Sequence, residues 1–248
     1  MKKLSIIVPV YNEQETIFDV LKLVDAVQLV NNIEKQIIVV DDVSTDNSLQ
    51  RIVDFDKEFP GTIEIIRHEV NRGKGAGIRS CLSACTGEYI IMQDADLELD
   101  PNEYNDLLEP ILSGKSNIVF GSRFLNTEQL HVSKVSKAAN QFLTWLSNVS
   151  FRTKLTDMET CYKLVPRSYF QAMILKENRF GFEPEITAKL AKIPGATFHE
   201  VPISFIPRTN EAGKKIGWKD GFRAIWCITK YGWFSSAKKS FTKPVSEL

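Results

Sequence analysis

The sequence predicts an α/β fold built on a mainly parallel central sheet, and three observations carry that expectation. Short apolar runs alternate along the chain with stretches whose apolar residues recur at helical spacing. The runs are apolar at consecutive positions, as in strands covered on both faces. Each also ends in a polar cluster (Tyr11–Glu13, Asp41–Asp42, Asp94–Glu98, Gly121–Arg123), and ligands in such sheets bind beyond the carboxyl ends of the strands.

Taken in order, Leu4 to Pro9 is the first strand and Tyr11-Asn12-Glu13 the turn after it. Thr16 to Ala26 carries Ile17, Val20, Leu21 and Val24 at helical spacing. Gln36 to Val40 is a second strand running into Asp41-Asp42. Ser44-Thr45-Asp46 then caps a helix with Leu49, Ile52, Val53 and Phe55 on its inner face. Thr62 to Ile66 is a third strand, and the glycine-rich turn Asn71 to Gly77 feeds a helix to about Ala84. Tyr89 to Met92 is a fourth strand, Pro101 to Leu112 a helix, and Asn117 to Phe120 a fifth strand. The second half is less regular. Ser133 to Val149 reads as a helix with Val135, Ala139, Phe142, Leu146 and Val149 along one stripe. Tyr162 to Val165 is a strand, Pro184 to Lys192 a helix, and Thr197 to Ile206 one or two late strands.

The composition of the 248 residues, 43% hydrophobic and 25% charged, is that of an ordinary globular chain. A formal net charge of zero argues against a nucleic-acid partner. The four cysteines, Cys81, Cys85, Cys161 and Cys227, form no zinc or paired CxxC spacing. With no stretch long enough to span a bilayer and no leader pattern, the chain is expected in a reducing, cytoplasmic compartment. His68, His131 and His199 belong to no Ser/His/Asp or metal pattern and read as surface or packing residues.

Chemistry concentrates in Asp94, Asp96 and Glu98. Alternate residues of an extended chain point the same way, so three carboxylates can converge beyond the fourth strand and hold Mg2+ or Mn2+. A solvated acidic turn is the plainer alternative. Lys74 in its glycine-rich turn suits a phosphate, although the turn fits neither GxxxxGK[ST] nor GxGxxG. Asp41 suits a ribose or base N–H, or a cap. Arg123, Arg208, Lys214 and Lys215 are candidate phosphate clamps.

Pro9-Val10-Tyr11-Asn12-Glu13, Asp41 to Asp46, Asn71 to Gly75, Asp94-Ala95-Asp96 and Gly121-Ser122-Arg123 occur in the order found in family 2 glycosyltransferases. The chain resembles the branch containing dolichyl-phosphate mannose synthase and bacterial polyprenyl-phosphate glycosyltransferases, over about the first 210 residues. The resemblance implies a GT-A fold over 1–212, followed by a basic, Trp-rich tail over 213–248. It implies that Pro9, Tyr11, Glu13 and Asp41 line a nucleoside pocket, and that Asp94 and Asp96 form the DXD pair. Asp96 and Glu98 would bind a divalent metal, Mn2+ or Mg2+, on the donor diphosphate. Arg123 would lie near the acceptor phosphate, Arg208 and Lys214 would close over the donor, and Asp157 would precede the acceptor segment. The synthases commonly have glutamine at Glu98 and a Ser-Gly-Phe-like pattern where this chain has Glu159 to Lys163.

The implied reaction is inverting transfer from a UDP- or GDP-sugar to a polyprenyl phosphate. A phosphate acceptor needs no strong base, in keeping with the missing catalytic histidine. A saccharide hydroxyl acceptor is the alternative, and would call on Asp157 or Glu183. A non-catalytic membrane-associated subunit is a third reading. From Lys214 onward, eight basic residues face two acids, and Trp218, Phe222, Ile225, Trp226, Thr229 and Trp233 share one helical face. That pattern suits a helix lying in an anionic membrane surface, or one packed on the protein's own core.

Overall fold

The computed structural model describes residues 1–125, 133–208 and 218–248, without the side chains of Trp218 and Lys219. Seven strands form the sheet: β1 (Lys3–Val10), β2 (Glu34–Asp41), β3 (Ile63–Arg67), β4 (Tyr89–Met92), β5 (Ile118–Ser122), β6 (Lys163–Pro166) and β7 (Phe198–Pro202). Their spatial order is β3-β2-β1-β4-β6-β5-β7. β1 pairs in parallel with β2 and β4, β2 with β3, and β5 with β7. β6 runs antiparallel to both its neighbours, β4 and β5.

That reversal positions the site. The chain enters β6 at the edge where the other strands leave, so residues 157–162 join the ends of β1, β2, β4 and β5 on one rim. The helices are α1 (Ile17–Ala26), α2 (Ser48–Glu58), α3 (Lys74–Cys81), α4 (Tyr104–Leu112), α5 (Lys134–Phe151), α6 (Arg167–Ala172), α7 (Phe182–Leu190) and α8 (Trp218–Trp233). The short α6 has no counterpart among the sequence expectations; six residues carry too little periodicity to announce a helix.

The central strands are covered on both faces, with Ile6, Ile7, Val8, Ile38, Val39, Val40, Ile90 and Met92 all fully or almost fully buried. β3 lies at the sheet edge and leaves Glu64 and Ile65 exposed. A smaller cluster of Phe151, Met158, Ala188, Cys227, Ile228 and Tyr231 seats α8 against α5 and α7. Beyond α8, Phe241 returns into the main core and its backbone bridges Met173. Residues 218–248 are thus built into the body of the fold.

Two helices keep apolar side chains on the outside. Thr144, Ser147 and Phe151 are the buried residues of α5, whereas Val135, Phe142, Trp145 and Val149 are exposed. α8 divides likewise: Ala224, Cys227, Ile228 and Tyr231 face inward, and Phe222, Trp226 and Trp233 face out, with Phe234 just beyond. The aromatic face named from the sequence is thus exposed, and a different face of the helix packs on the core. Among the described residues, no helix is long and apolar enough to cross a membrane. All four cysteines are buried and unbridged, as packing residues would be.

Candidate active site

Beyond β1 and β2, neutral groups pin two turns together. The Asn12 and Glu13 amides donate to Ser44 Oγ (3.0 Å) and Ser48 Oγ (2.7 Å), and the Thr45 amide donates to Asn12 Oδ1 (2.7 Å). Asp41 is fully buried and accepts from the Ser44 amide (3.3 Å). Between them Val43 holds φ +60°, the left-handed region that a β-branched side chain rarely adopts; such strain costs about 1–3 kcal/mol and persists where surrounding bonds over-determine it. Asp42 accepts from the Arg72 (2.8 Å) and Gly73 (2.6 Å) amides and meets His68 Nδ1 (2.7 Å). It thereby fixes the turn that launches α3 and Lys74. Gly73 has φ +90°, and a Cβ there would lie 2.5 Å from the Asn178 carbonyl oxygen, so the close approach of the two loops requires glycine.

Beyond β4, the three acids do not converge on one point as expected. Asp94 pairs with Lys74 (2.6 Å), while Asp96 pairs with Arg208 (2.5 Å), whose Nε lies 3.7 Å from Glu98. Glu98 also accepts from the Arg208 amide (2.9 Å), and the other arm of that guanidinium reaches Glu13 (2.8 Å). Among the described residues, no three His, Cys, Asp or Glu side chains are arranged to hold a metal ion. The reason is electrostatic: each carboxylate turns to the nearest protein cation.

The same contacts test the fit of a metal. Asp96 and Glu98 already enclose a cation with hard oxygen donors, a donor set that suits Mg2+ or Mn2+. Burial, with Asp94 and Glu98 beside it, pushes Asp96 up to about 7 despite Arg208. The cluster is short of positive charge.

On the far side of the rim, Arg123 leaves the end of β5 and meets Asp157 in a two-pronged pair, Nε–Oδ2 2.6 Å and Nη2–Oδ1 2.8 Å. Asp157 is completely buried and also accepts from the Arg123 amide (3.2 Å) and Asn140 Nδ2 (3.3 Å). A second ionic chain runs underneath. Lys163, wholly buried in β6, donates to Glu183 and to the Thr160 carbonyl, and Glu183 lies 3.5 Å from Lys74. Asp94, Lys74, Glu183 and Lys163 thus alternate in sign. Burial opposes the charge of Lys74, but Asp94 and Glu183 raise its pKa well above the usual range. The Cys161 thiol, pushed strongly up by burial, stays protonated.

Pro9, Tyr11, Glu13, Asp41, Lys74, Asp94, Asp96, Glu98, Arg123, Asp157 and Arg208 therefore all lie along the carboxyl edge of the sheet. Lys214 lies outside the described residues. Sequence reasoning missed Asp42 as the organiser of the Gly73 turn. It also missed Glu159 and Lys163 beside Arg123 and Asp157. A lysine inside the apolar run of β6 was the available signal, since a buried ammonium requires a buried acid.

An open α/β sheet with Asp94 and Asp96 beyond its fourth strand has the architecture of the GT-A type. The chain belongs to glycosyl transferase family 2, whose model matches residues 5–178. The dolichyl-phosphate beta-glucosyltransferase of Dictyostelium discoideum is 31% identical over 200 residues, covering 74% of this chain and 60% of the relative. An undecaprenyl-phosphate 4-deoxy-4-formamido-L-arabinose transferase of Pseudomonas fluorescens is 36% identical over 110 residues, 44% of this chain and 32% of the relative. The dolichol-phosphate mannosyltransferase of Pyrococcus furiosus is 28% identical over 123 residues, 50% of this chain and 34% of the relative. The last two matches span about a third of those proteins. The glucosyl-3-phosphoglycerate synthase of Mycobacterium tuberculosis, solved with UDP, shares the fold with a TM-score of 0.72 at 17% identity, covering 100% of this chain and 89% of that one. The same synthase with Mn2+, UDP and phosphoglyceric acid gives 0.70 at 16% identity, covering 95% and 80%.

Proposed function

We propose that the protein transfers a sugar, with inversion, from a UDP- or GDP-sugar to a polyprenyl phosphate at a membrane surface. The observation that carries the reading is the state of the two acids named as bases. Asp157 is spent on Arg123 and Asn140, and Glu183 on Lys163 and Lys74. A hydroxyl acceptor would need one of them free, whereas a lipid phosphate oxygen is already an anion. The three relatives, named for transfer to a dolichyl, dolichol or undecaprenyl phosphate, agree with that choice.

In this reading Pro9, Tyr11, Glu13 and Asp41 receive the nucleoside, and Lys74 faces the donor's phosphate side. Asp96 and Glu98 would hold Mn2+ or Mg2+, with Asp94 beside them; the metal would neutralise charge growing on the departing nucleotide diphosphate. Arg208, held on Glu13 and Asp96, keeps a second cation at the same place. Arg123, aimed by Asp157, orients the acceptor phosphate. Its oxygen attacks the anomeric carbon as the bond to the nucleotide diphosphate breaks on the opposite face. The outer faces of α8 and α5 would rest on the cytoplasmic leaflet, making the protein peripheral.

The test incubates the purified protein with Mn2+, labelled UDP- and GDP-sugars and a short polyprenyl phosphate. A labelled lipid that disappears in Asp96→Ala is expected. Metal-dependent donor binding with no lipid product from any donor would sink the reading.

A further inference from the structure

Asp157 and Glu183 each have a cation at bonding distance. The Oε1 atoms of Glu159 and Glu183 are both closed off from solvent without a hydrogen-bond partner, but Lys74 lies 3.5 Å from that oxygen of Glu183, whereas no ion pair among the described residues reaches Glu159. A buried carboxyl oxygen without a partner is costly, and one beside a ligand rim marks a bond completed by the ligand. The charged groups around it are Lys163 in β6, Glu183 in α7, Arg123 after β5 and Asp157 in its own loop, two cations against two acids. Those four are already paired with one another, Arg123 with Asp157 and Lys163 with Glu183, so neither cation forms a direct ion pair with Glu159.

We propose that Glu159 enters the reaction as a neutral carboxylic acid and donates its proton as a hydrogen bond to the acceptor phosphate, beside Arg123. The inference rests on the reading above, in which the acceptor is a phosphate. Burial raises the Glu159 carboxyl to about 7, with Lys163 and Arg123 pulling down and Glu183 and Asp157 pushing up. An arriving phosphate anion raises it further, because a neighbouring negative charge favours the neutral form. The proton stays on the carboxyl throughout; no bond to it is made or broken.

The experiment measures transfer to a short polyprenyl phosphate against pH for the intact protein, Glu159→Gln and Glu159→Ala, with donor binding and thermal unfolding followed in parallel. Activity of the parent protein is expected to fall as the pH rises past neutrality. Glu159→Gln, whose amide also donates, should keep most of the activity and lose that decline. Glu159→Ala should raise the KM for the lipid phosphate about tenfold or more, the size of one hydrogen bond to a charged group, and leave donor binding unchanged. A Glu159→Gln protein that folds and binds donor but is as inactive as Glu159→Ala would overturn the proposal and make the ionised carboxylate a base. Variants with unaltered lipid KM and pH profile would overturn it as well. Should Glu159→Ala not fold, the Glu159→Gln profile decides alone. A parent protein that binds donor yet never glycosylates the lipid removes the acceptor reading itself, and Glu159's role with it.

Discussion

The two ends of the catalytic rim are built from different chemistry. Beside β1 to β3, turns are tied by hydroxyls, amides and the Asp42 carboxylate accepting backbone N–H groups. Beside β5 and β6, the corresponding positions are held by buried ion pairs: Arg123 on Asp157 and Lys163 on Glu183. The first device is tolerant, because losing one neutral hydrogen bond costs little. The second is brittle, because removing one partner strands a charge in the interior. Turns of fixed shape hold one end of the rim, and buried ion pairs the other.

Activity should show the largest effect at the acids between these regions. Asp96→Ala is expected to lower transfer about a hundred- to a thousandfold, as loss of a group that stabilises transition-state charge does. It should cost little stability, since it relieves crowding among Asp94, Asp96 and Glu98. Product formation and a melting curve on the same sample check both halves. Next comes Glu183→Ala, which leaves Lys163 buried without its acid. The expected cost is about 3–5 kcal/mol, a fall in melting temperature on the order of 10 °C. The pair replacement Lys163→Met with Glu183→Leu should recover most of it. A single variant no less stable than the parent would erase the contrast between the two regions.

How much of this was legible in the sequence follows the same division. β1, β2 and β4 show as apolar runs because strands buried on both faces leave that mark, and β3 shows as one although it lies at the edge. The polar residues after β1, β2 and β4 lie where the rule for open sheets puts a site. The acceptor half was read less well. The antiparallel course of β6 leaves no trace in four residues, yet it brings Asp157 and Glu159 to the rim. The pairing of Lys163 with Glu183 spans twenty positions that no local pattern links. The stripe on α5 was visible, but not that Val135, Phe142 and Val149 face outward. Periodicity locates an apolar face; only packing says what covers it. The convergence of Asp94, Asp96 and Glu98 failed for another reason: strand alternation aims side chains, whereas Lys74 and Arg208 decide where they settle.

Glu177 gives a smaller effect with a definite sign. It is buried under α8, accepting from Arg223 (2.5 Å), Lys230 (3.1 Å) and Tyr231 (2.7 Å). Burial opposes its charge, but these bonds hold the carboxyl down at about 2. A folded pKa below the unfolded one contributes stability that is complete above the unfolded value and disappears as the pH falls from about 4 towards 2. With Arg223 half exposed, the contribution is about 1–3 kcal/mol. Acid unfolding of Glu177→Gln should show a shallower pH dependence across that range. Ser48→Ala, which removes a neutral partner of the Glu13 amide, should cost only about 1 kcal/mol in a denaturant titration.

The smallest expected change in stability belongs to the outer face of α8, and it separates folding from membrane attachment. Phe222 and Trp226 are 67% and 57% exposed, so serine at both should shift stability by no more than about 0.5 kcal/mol per site. Their inner neighbours Cys227 and Ile228 are fully buried and keep the helix seated. The exposed aromatics do have work if α8 lies in a bilayer surface, where each would bury apolar area beside Lys238 and Lys239. Co-sedimentation with vesicles rich in anionic lipid should then fall roughly tenfold in the double variant, with the melting temperature unchanged. Neutral vesicles should bind both proteins weakly, because the basic residues act only on a charged surface. Equal binding of parent and variant to anionic vesicles would assign attachment to charge alone, and leave the apolar faces of α5 and α8 for another partner.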